Sequence, residues 1–468
     1  MPIEPRERAV LDAVEEGFPA AVAALGRLVR IPSVAFPGFP EEQVRASAEA
    51  VAALLTETGL FDEVQVATAD YDTASGRATG SPAVLARRAA APGRPTVLLY
   101  AHHDVQPAGR DDLWDTPPFE PTLVGERLHG RGASDDKAGV VAHVAAIRAA
   151  AQALGDGLEV GIAVFVEGEE EAGSASFDAF LEANLEALRA DVIVVADSDN
   201  VSTEVPALTS SLRGNATANL TVSTLEHASH SGMFGGAVPD AMLAAVRLLA
   251  TLWDEDGAVA VPGLLVSPGP DGGPAGPSTA DLARDAALLP GVRPIGRGTV
   301  AERLWYRPAI TVTGMDVPDV LNASNTLLPS VRLRLSLRVA PGQDAAEAFA
   351  ALEAHLRANA PFGAHVALDD VNLGQPFLVD QGGWAAEEAR RAMADGWGAE
   401  PELTGIGGSI PFISTLTRLL PEAQILITGV EDPDTRAHSP NESQHLGVLR
   451  KAVAAEALLL ARLSSRTV

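Results

Sequence analysis

The sequence predicts an α/β protein, a mostly parallel sheet covered by helices, with a smaller α+β domain inserted into it. Three observations carry this expectation. Short β-branched runs alternate with Ala-rich helical stretches through the first 200 residues, the pattern of a parallel sheet packed on both faces. The same alternation returns after Ser409. Between these stretches the order changes to β-α-β-β-α-β, a split-βαβ (ferredoxin-like) unit in its own right.

The N-terminal stretch reads as an amphipathic helix ended by Pro32, without the basic start and apolar run of a secretory signal. Residues 96–101 (TVLLYA), 160–166 (VGIAVFV) and 191–196 (DVIVVA) are apolar runs of strand length. Residues 138–154, between the first two, form a helix by length and propensity. In the middle, strands are expected at 219–225, 309–314, 331–339 and 365–372, and helices at 239–253 and 345–359. In VRLRLSLRV the apolar residues alternate with Arg332, Arg334, Ser336 and Arg338, so one sheet face is buried and the other polar. The Pro/Gly-rich stretch 266–291 is expected as a surface loop. A helix, a strand at 424–428 and a closing helix from 446 to 463 complete the chain. The domain division that follows is 1–212 with 379–468 for the larger domain and 213–378 for the insertion.

Composition narrows the partners. Asp and Glu (62) outnumber Lys and Arg (34) for a formal net charge of −28. Nucleic acid and anionic membrane surfaces both call for clustered cations, so neither is expected. No uninterrupted apolar run approaches the roughly 20 residues of a membrane span. There is no cysteine, which excludes disulfides, thiolate nucleophiles and sulfur-ligated metals. A cytoplasmic protein with an ample core is the expectation.

Four strands of the larger domain run directly into acidic or His-bearing segments. TVLLYA precedes His102-His103-Asp104, VGIAVFV precedes Glu167-Gly168-Glu169-Glu170-Glu171, DVIVVA precedes Asp197-Ser198-Asp199, and QILITGV leads through Glu431-Asp432-Pro433 to His438. A fifth segment, Asp135-Asp136-Lys137, opens the helix at 138. In open α/β sheets the functional crevice lies outside the carboxyl ends of the strands, so these segments are expected to share one rim. Carboxylates so crowded, with few cations, would have to take up protons. A pair of divalent metal ions resolves the conflict; His and carboxylate donors suit zinc, and manganese or cobalt would also fit.

The motifs YAHHDVQPAG, LWDTPPFEPTLVGERLHGRGASDDKAG, EGEEEAGS, VVADSDN, SLRGNA, HASHSGMFGG, GGSIP and AHSPNE follow one another along nearly the whole chain. In this order the chain resembles the dinuclear metallopeptidases that include carnosinase-type dipeptidases, carboxypeptidase G, acetylornithine deacetylase and succinyl-diaminopimelate desuccinylase, with most likeness to the dipeptidase branch. The resemblance implies that Asp135 bridges two metals, that His102 and Asp197 complete one site, and that Glu171 and His438 complete the other. Asp197 is preferred to Asp199 for its distance to the following LRG. Asp104 would orient His102, and the Asp135–Asp136 bond would be cis.

Glu170 would be the general base that activates a metal-bridging water and then protonates the leaving amine. His230, supplied by the partner in a homodimer, would stabilise the oxyanion. Arg338 would grip the substrate's free carboxylate, with backbone N–H groups of Gly407, Gly408 and Ser409. The larger domain would be catalytic and the insertion a lid or dimerisation domain. The implied activity is metal-dependent hydrolysis of dipeptides or short peptides. Deacylation of N-acyl amino acids is the alternative, and a metal-free non-catalytic homologue is the third reading. The chain departs from the family at Ala101 and Ala138, where Gly is common, and at Gly405-Ile406, where carnosinase-like relatives carry Arg-Glu.

Overall fold

The computed structural model describes residues 3–73, 76–269, 276–379, 382–407 and 411–467. The chain divides into two compact units, Met1–Ser210 with Val379–Leu403 and Thr415–Val468, and Ser211–Leu378 with Thr404–Ser414. Residues 404–414, placed with the larger domain by the sequence, thus group with the second unit.

The first unit is built on a mixed sheet. Its strands run in the order Glu63–Ala67, Ala83–Arg88, Gly161–Glu167, Thr96–His102, Val192–Val195, Gln424–Ile427, Ala207–Leu212. The four strands from Gly161–Glu167 to Gln424–Ile427 are mutually parallel, and the flanking strands are antiparallel. Gly161–Glu167 and Val192–Val195 are buried along their whole length. That is why they read as unbroken apolar runs: a parallel strand covered on both faces has no polar side to alternate with.

Helices Pro5–Val29, Lys137–Leu154 and Leu446–Leu463 pack on one another, and Trp384–Trp397 lies against Leu446–Leu463. By composition the segment Lys137–Gly157 could cross a membrane, but 61% of its most apolar window is buried inside this unit, which makes it a core helix. Its Ala and Val side chains join the main apolar core with Leu25, Leu99, Ile162 and Leu458. Each large apolar side chain buried there contributes about 1.5–3 kcal/mol.

Because the central strands are parallel, their carboxyl ends share one edge, and the segments following His102, Glu167, Val195 and Ile427 all leave from it. A small sheet of Thr122–Val124, Arg127–His129 and Ser443–His445 ties the chain just before Asp135 to the chain just after His438.

The second unit is a four-stranded antiparallel sheet in the order Ala309–Asp316, Ser330–Val339, Gly214–Ser223, His365–Gly374. Helices Ala241–Leu249 and Ala345–Ala358 contribute to its apolar core, with Leu220, Leu335 and Leu337 from the strands. This is the split-βαβ order expected from the sequence. Burial alternates strictly along Gly214–Ser223, and the polar face carries the ion pairs Arg332–Asp369 and Arg334–Asp370. One expectation is corrected here: the stretch 266–291 contains a helix, Thr279–Asp285, started by a capping box between Ser278 and Asp281.

Candidate metal centre

His102 ends the strand Thr96–His102, and Asp135 sits in the turn that starts the helix Lys137–Leu154. The Asp135–Asp136 peptide bond is cis. The turn packs so closely that a Cβ on Gly139 would lie 2.2 Å from Asp136 Oδ1 and 2.8 Å from the carbonyl oxygen of Ala196; only glycine fits. Asp135 presents one oxygen to each side. His102 Nε2 is 3.0 Å from its Oδ1, and His438 Nε2 is 2.9 Å from its Oδ2. His438 Nε2 is also 3.1 Å from Glu171 Oε2.

Two groups result, His102–Asp135–Asp197 and Asp135–Glu171–His438, each with ligand atoms within 4.8 Å of one another. The five residues that the sequence nominates as ligands therefore converge, with Asp135 common to both groups. Asp199, the alternative to Asp197, instead bridges to Glu431 and bonds its side chain.

Asp104 is fully buried and contacts more than His102. His102 Nδ1 lies 3.2 Å from its backbone oxygen and 3.4 Å from its carboxylate. Its two carboxylate oxygens accept the backbone N–H groups of Glu170 and Glu171, both at 3.1 Å. One buried acid thus sets the height of both glutamates against the strand end. Among the described residues no hydrogen bond engages the Glu170 carboxylate.

The electrostatics are those of a site short of positive charge. Burial would lower the His102 pKa, but Asp104 and Asp135 outweigh it and hold it well above the ordinary imidazole value. Hydrogen bonds to Asp135 and Glu171 push His438 up to about 10. Burial, helped by Asp135 and Glu171 and opposed by His102, pushes the Asp197 carboxyl up to about 6. Glu170 is raised well above the carboxylate range, first by burial and then by Asp197, Glu167 and Asp104 against the pull of His102. Carboxylate oxygens and imidazole nitrogens gathered in such surplus fit divalent cations, and a shared carboxylate with one histidine on each side fits a pair of them.

The remaining sequence-nominated residues lie in the second unit. His230 is exposed at the end of Ser229–His230, and its Nδ1 accepts the N–H of Gly232 at 3.0 Å. In the neutral ring this leaves the proton on Nε2, which no hydrogen bond among the described residues engages. Arg338, on the polar face of Ser330–Val339, pairs across the sheet with Asn215. Near it, the buried Arg213 donates from Nε to the carbonyl of Gly407 at 3.0 Å. Burial and the Arg338 charge lower the Arg213 pKa to about 10. Gly408 and Ser409 lie outside the described residues. At Gly405 a Cβ would approach Trp305 Cβ and Ser211 Oγ to 2.6 Å. Trp305 therefore occupies the space an arginine side chain would need at this departure from the family pattern.

Three buried or half-buried polar residues of the site escaped the sequence. Gln106 donates to Glu171 from Nε2 at 2.7 Å and from its backbone N–H at 3.1 Å. Glu431 is raised well above the carboxylate range by burial and by Asp199. Glu442 is wholly buried beside Asp135. Gln106 and Glu442 fall inside the quoted motifs YAHHDVQPAG and AHSPNE, and Glu431 heads the acidic stretch after QILITGV, which was the available signal.

Fold and donor set together define a metal-binding α/β enzyme. Residues 98–462 match the profile of Peptidase family M20/M25/M40. The chain is 36% identical over 370 residues, 78% of its length and 80% of the relative's, to a cysteinylglycine-S-conjugate dipeptidase of Corynebacterium striatum. It is 28% identical over 461 residues, 95% of either chain, to a Cys-Gly metallodipeptidase of Schizosaccharomyces pombe. Among solved structures, human carnosine dipeptidase 1 superposes with a TM-score of 0.79 at 24% identity, over 99% of this chain and 100% of that one. The chain belongs to Peptidase family M20/M25/M40. It is a metallopeptidase, a hydrolase that cleaves peptide bonds.

Proposed function

We propose that the chain hydrolyses dipeptides at a site holding two divalent cations, zinc by preference, with His102 and Asp197 on one, Glu171 and His438 on the other, and Asp135 shared. The observation that carries this is the single carboxylate of Asp135 facing an imidazole on each side. Similarity to relatives named as dipeptidases supports dipeptides, rather than N-acyl amino acids, as the substrate class. Bound cations of this kind polarise a scissile carbonyl and bring the pKa of water towards 7.

The protein's own groups do the rest. Glu170, adjacent to Glu171 and held by Asp104, takes a proton from the attacking water and returns it to the leaving amine. His230 donates from Nε2 to the oxygen that gains charge as the carbonyl becomes tetrahedral. Arg338 and the N–H groups of the loop at Gly407, Gly408 and Ser409 receive the substrate carboxylate, a charged group that a guanidinium binds in a fixed planar geometry. In this reading the first unit is the catalytic domain and the second unit a lid and dimerisation domain. His230 comes from a second copy; the neighbouring Met233 and Phe234 are exposed apolar side chains of the kind an interface covers.

The substrate class is tested by assaying the zinc- and manganese-loaded protein with Cys-Gly, Ala-Ala and β-Ala-His beside N-acetyl and N-succinyl amino acids. Dipeptides are expected to turn over faster; preference for the acylated compounds would overturn the assignment. For the second copy, His230→Ala is expected to cut kcat by about 10²–10³, the usual cost of removing an oxyanion donor. Mixing it with an inactive Glu170→Gln chain is expected to restore part of the activity. No recovery, with exchange of subunits demonstrated, would put His230 to work within its own chain.

A further inference from the structure

We propose that Glu442 is a positioning residue for the metal centre: its buried carboxylate fastens the segment carrying Asp135 to the segment carrying His438. This rests on the ligand assignment above, and the experiment below separates the two. Glu442 is 0% exposed. Its Oε1 accepts the backbone N–H of Ser134 at 3.0 Å and of Asp135 itself at 3.2 Å. Its Oε2 accepts the N–H of Gly132 at 3.1 Å and a guanidinium N–H of Arg131. Its backbone oxygen accepts the N–H of Gly130 at 3.0 Å. One residue thus satisfies five donors of a single turn.

The other half of the clamp is the chain that Glu442 belongs to. His438 lies four residues upstream, in a left-handed backbone conformation with φ 61°, as are Arg436 and Asn441. Such a conformation persists in a non-glycine residue only where the surroundings hold it. They do so here from the same turn and from the segment at Trp114-Asp115: Arg131 donates to the carbonyl of Ser439 and lies over the Trp114 ring. Asn441 Oδ1 accepts the N–H of Asp115 at 2.7 Å, and Gln444 Oε1 accepts the Ser134 hydroxyl at 2.8 Å. Ligands from two distant segments must be held to about 0.5 Å to bind one ion well. Glu442 is where those segments meet.

Four side-chain bonds from donors only, shared by two oxygens, require a carboxylate. Glutamine has the same shape, but its NH₂ would face two donors whichever way it turned, so Glu442→Gln breaks one side of the clamp while filling the same space. Zinc affinity would be measured on the purified chain by competition with a chromophoric chelator, with Glu456→Gln as a comparison. Glu456 is another buried acid; it bonds His143 Nδ1 at 2.9 Å and touches no proposed ligand.

Glu442→Gln is expected to weaken zinc binding about 10–100-fold, the range seen when a partner that orients ligands is lost, with turnover recovered at saturating zinc. Glu456→Gln is expected to lower the melting temperature and leave zinc affinity within about twofold. Zinc affinity of Glu442→Gln equal to wild type would overturn the proposal, whatever its melting temperature. Should the variant fail to fold, amide hydrogen exchange on the wild-type chain decides. Ser134 and Asp135 are expected to remain protected after chelation, and fast exchange there would overturn the clamp. A wild-type chain that binds no zinc would instead refute the ligand assignment.

Discussion

Glu170→Gln is expected to lower kcat/KM by about 10²–10⁴ while leaving two metal ions per chain, as read by elemental analysis of the dialysed protein. The amide keeps the size of the side chain and removes its ability to take and return a proton. Metal content should survive because Glu170 belongs to neither ligand group. Its backbone remains fixed, since the N–H of Glu170 bonds Asp104 whatever the side chain is.

The adjacent Glu171 is the internal contrast. Its carboxylate already has His438 at 3.1 Å and Gln106 at 2.7 Å, so Glu171→Gln should lose metal before it loses proton transfer. If Glu170→Gln came off the column with one ion instead of two, base and ligand would have to be exchanged. Burial and the nearby acids also favour a proton on Glu170. In the proposed role, such a carboxyl would hold the proton it takes from water until the amine departs.

The convergence of the five nominated residues was legible in the sequence. A parallel strand buried on both faces is an unbroken apolar run, so its carboxyl end is marked by the first acid or histidine, as at His102 and Asp197. The split-βαβ unit was legible for the opposite reason, the strict alternation in VRLRLSLRV. What stayed hidden depends on contacts between distant segments. Nothing local tells that Asp104 holds the amides of Glu170 and Glu171 rather than His102 alone. Nothing local tells that residues 404–414 group with the second unit. The helix Thr279–Asp285 was masked differently: Pro and Gly on both sides outweighed the short Ser278–Asp281 capping signal.

Asp135→Asn should have the largest effect on metal content, lowering it from two ions to one or none and removing turnover with it. Among the described residues, Asp135 is the one acid whose two oxygens face both imidazoles. Burial opposes its ionisation, yet His102 and His438 hold its carboxyl well below the usual carboxylate range. Asparagine offers one oxygen and, on the other side, an NH₂ that cannot ligate a cation. One group of three donors thus falls to two, and the charge that draws both ions in is lost. His438→Ala tests the same logic from one side. It removes a donor from the Asp135–Glu171–His438 group alone, so it should cost one ion and leave the other bound. If Asp135→Asn retained two ions at wild-type affinity, the ions would not share this carboxylate, and the pairing on which Glu170 acts would have to be drawn differently.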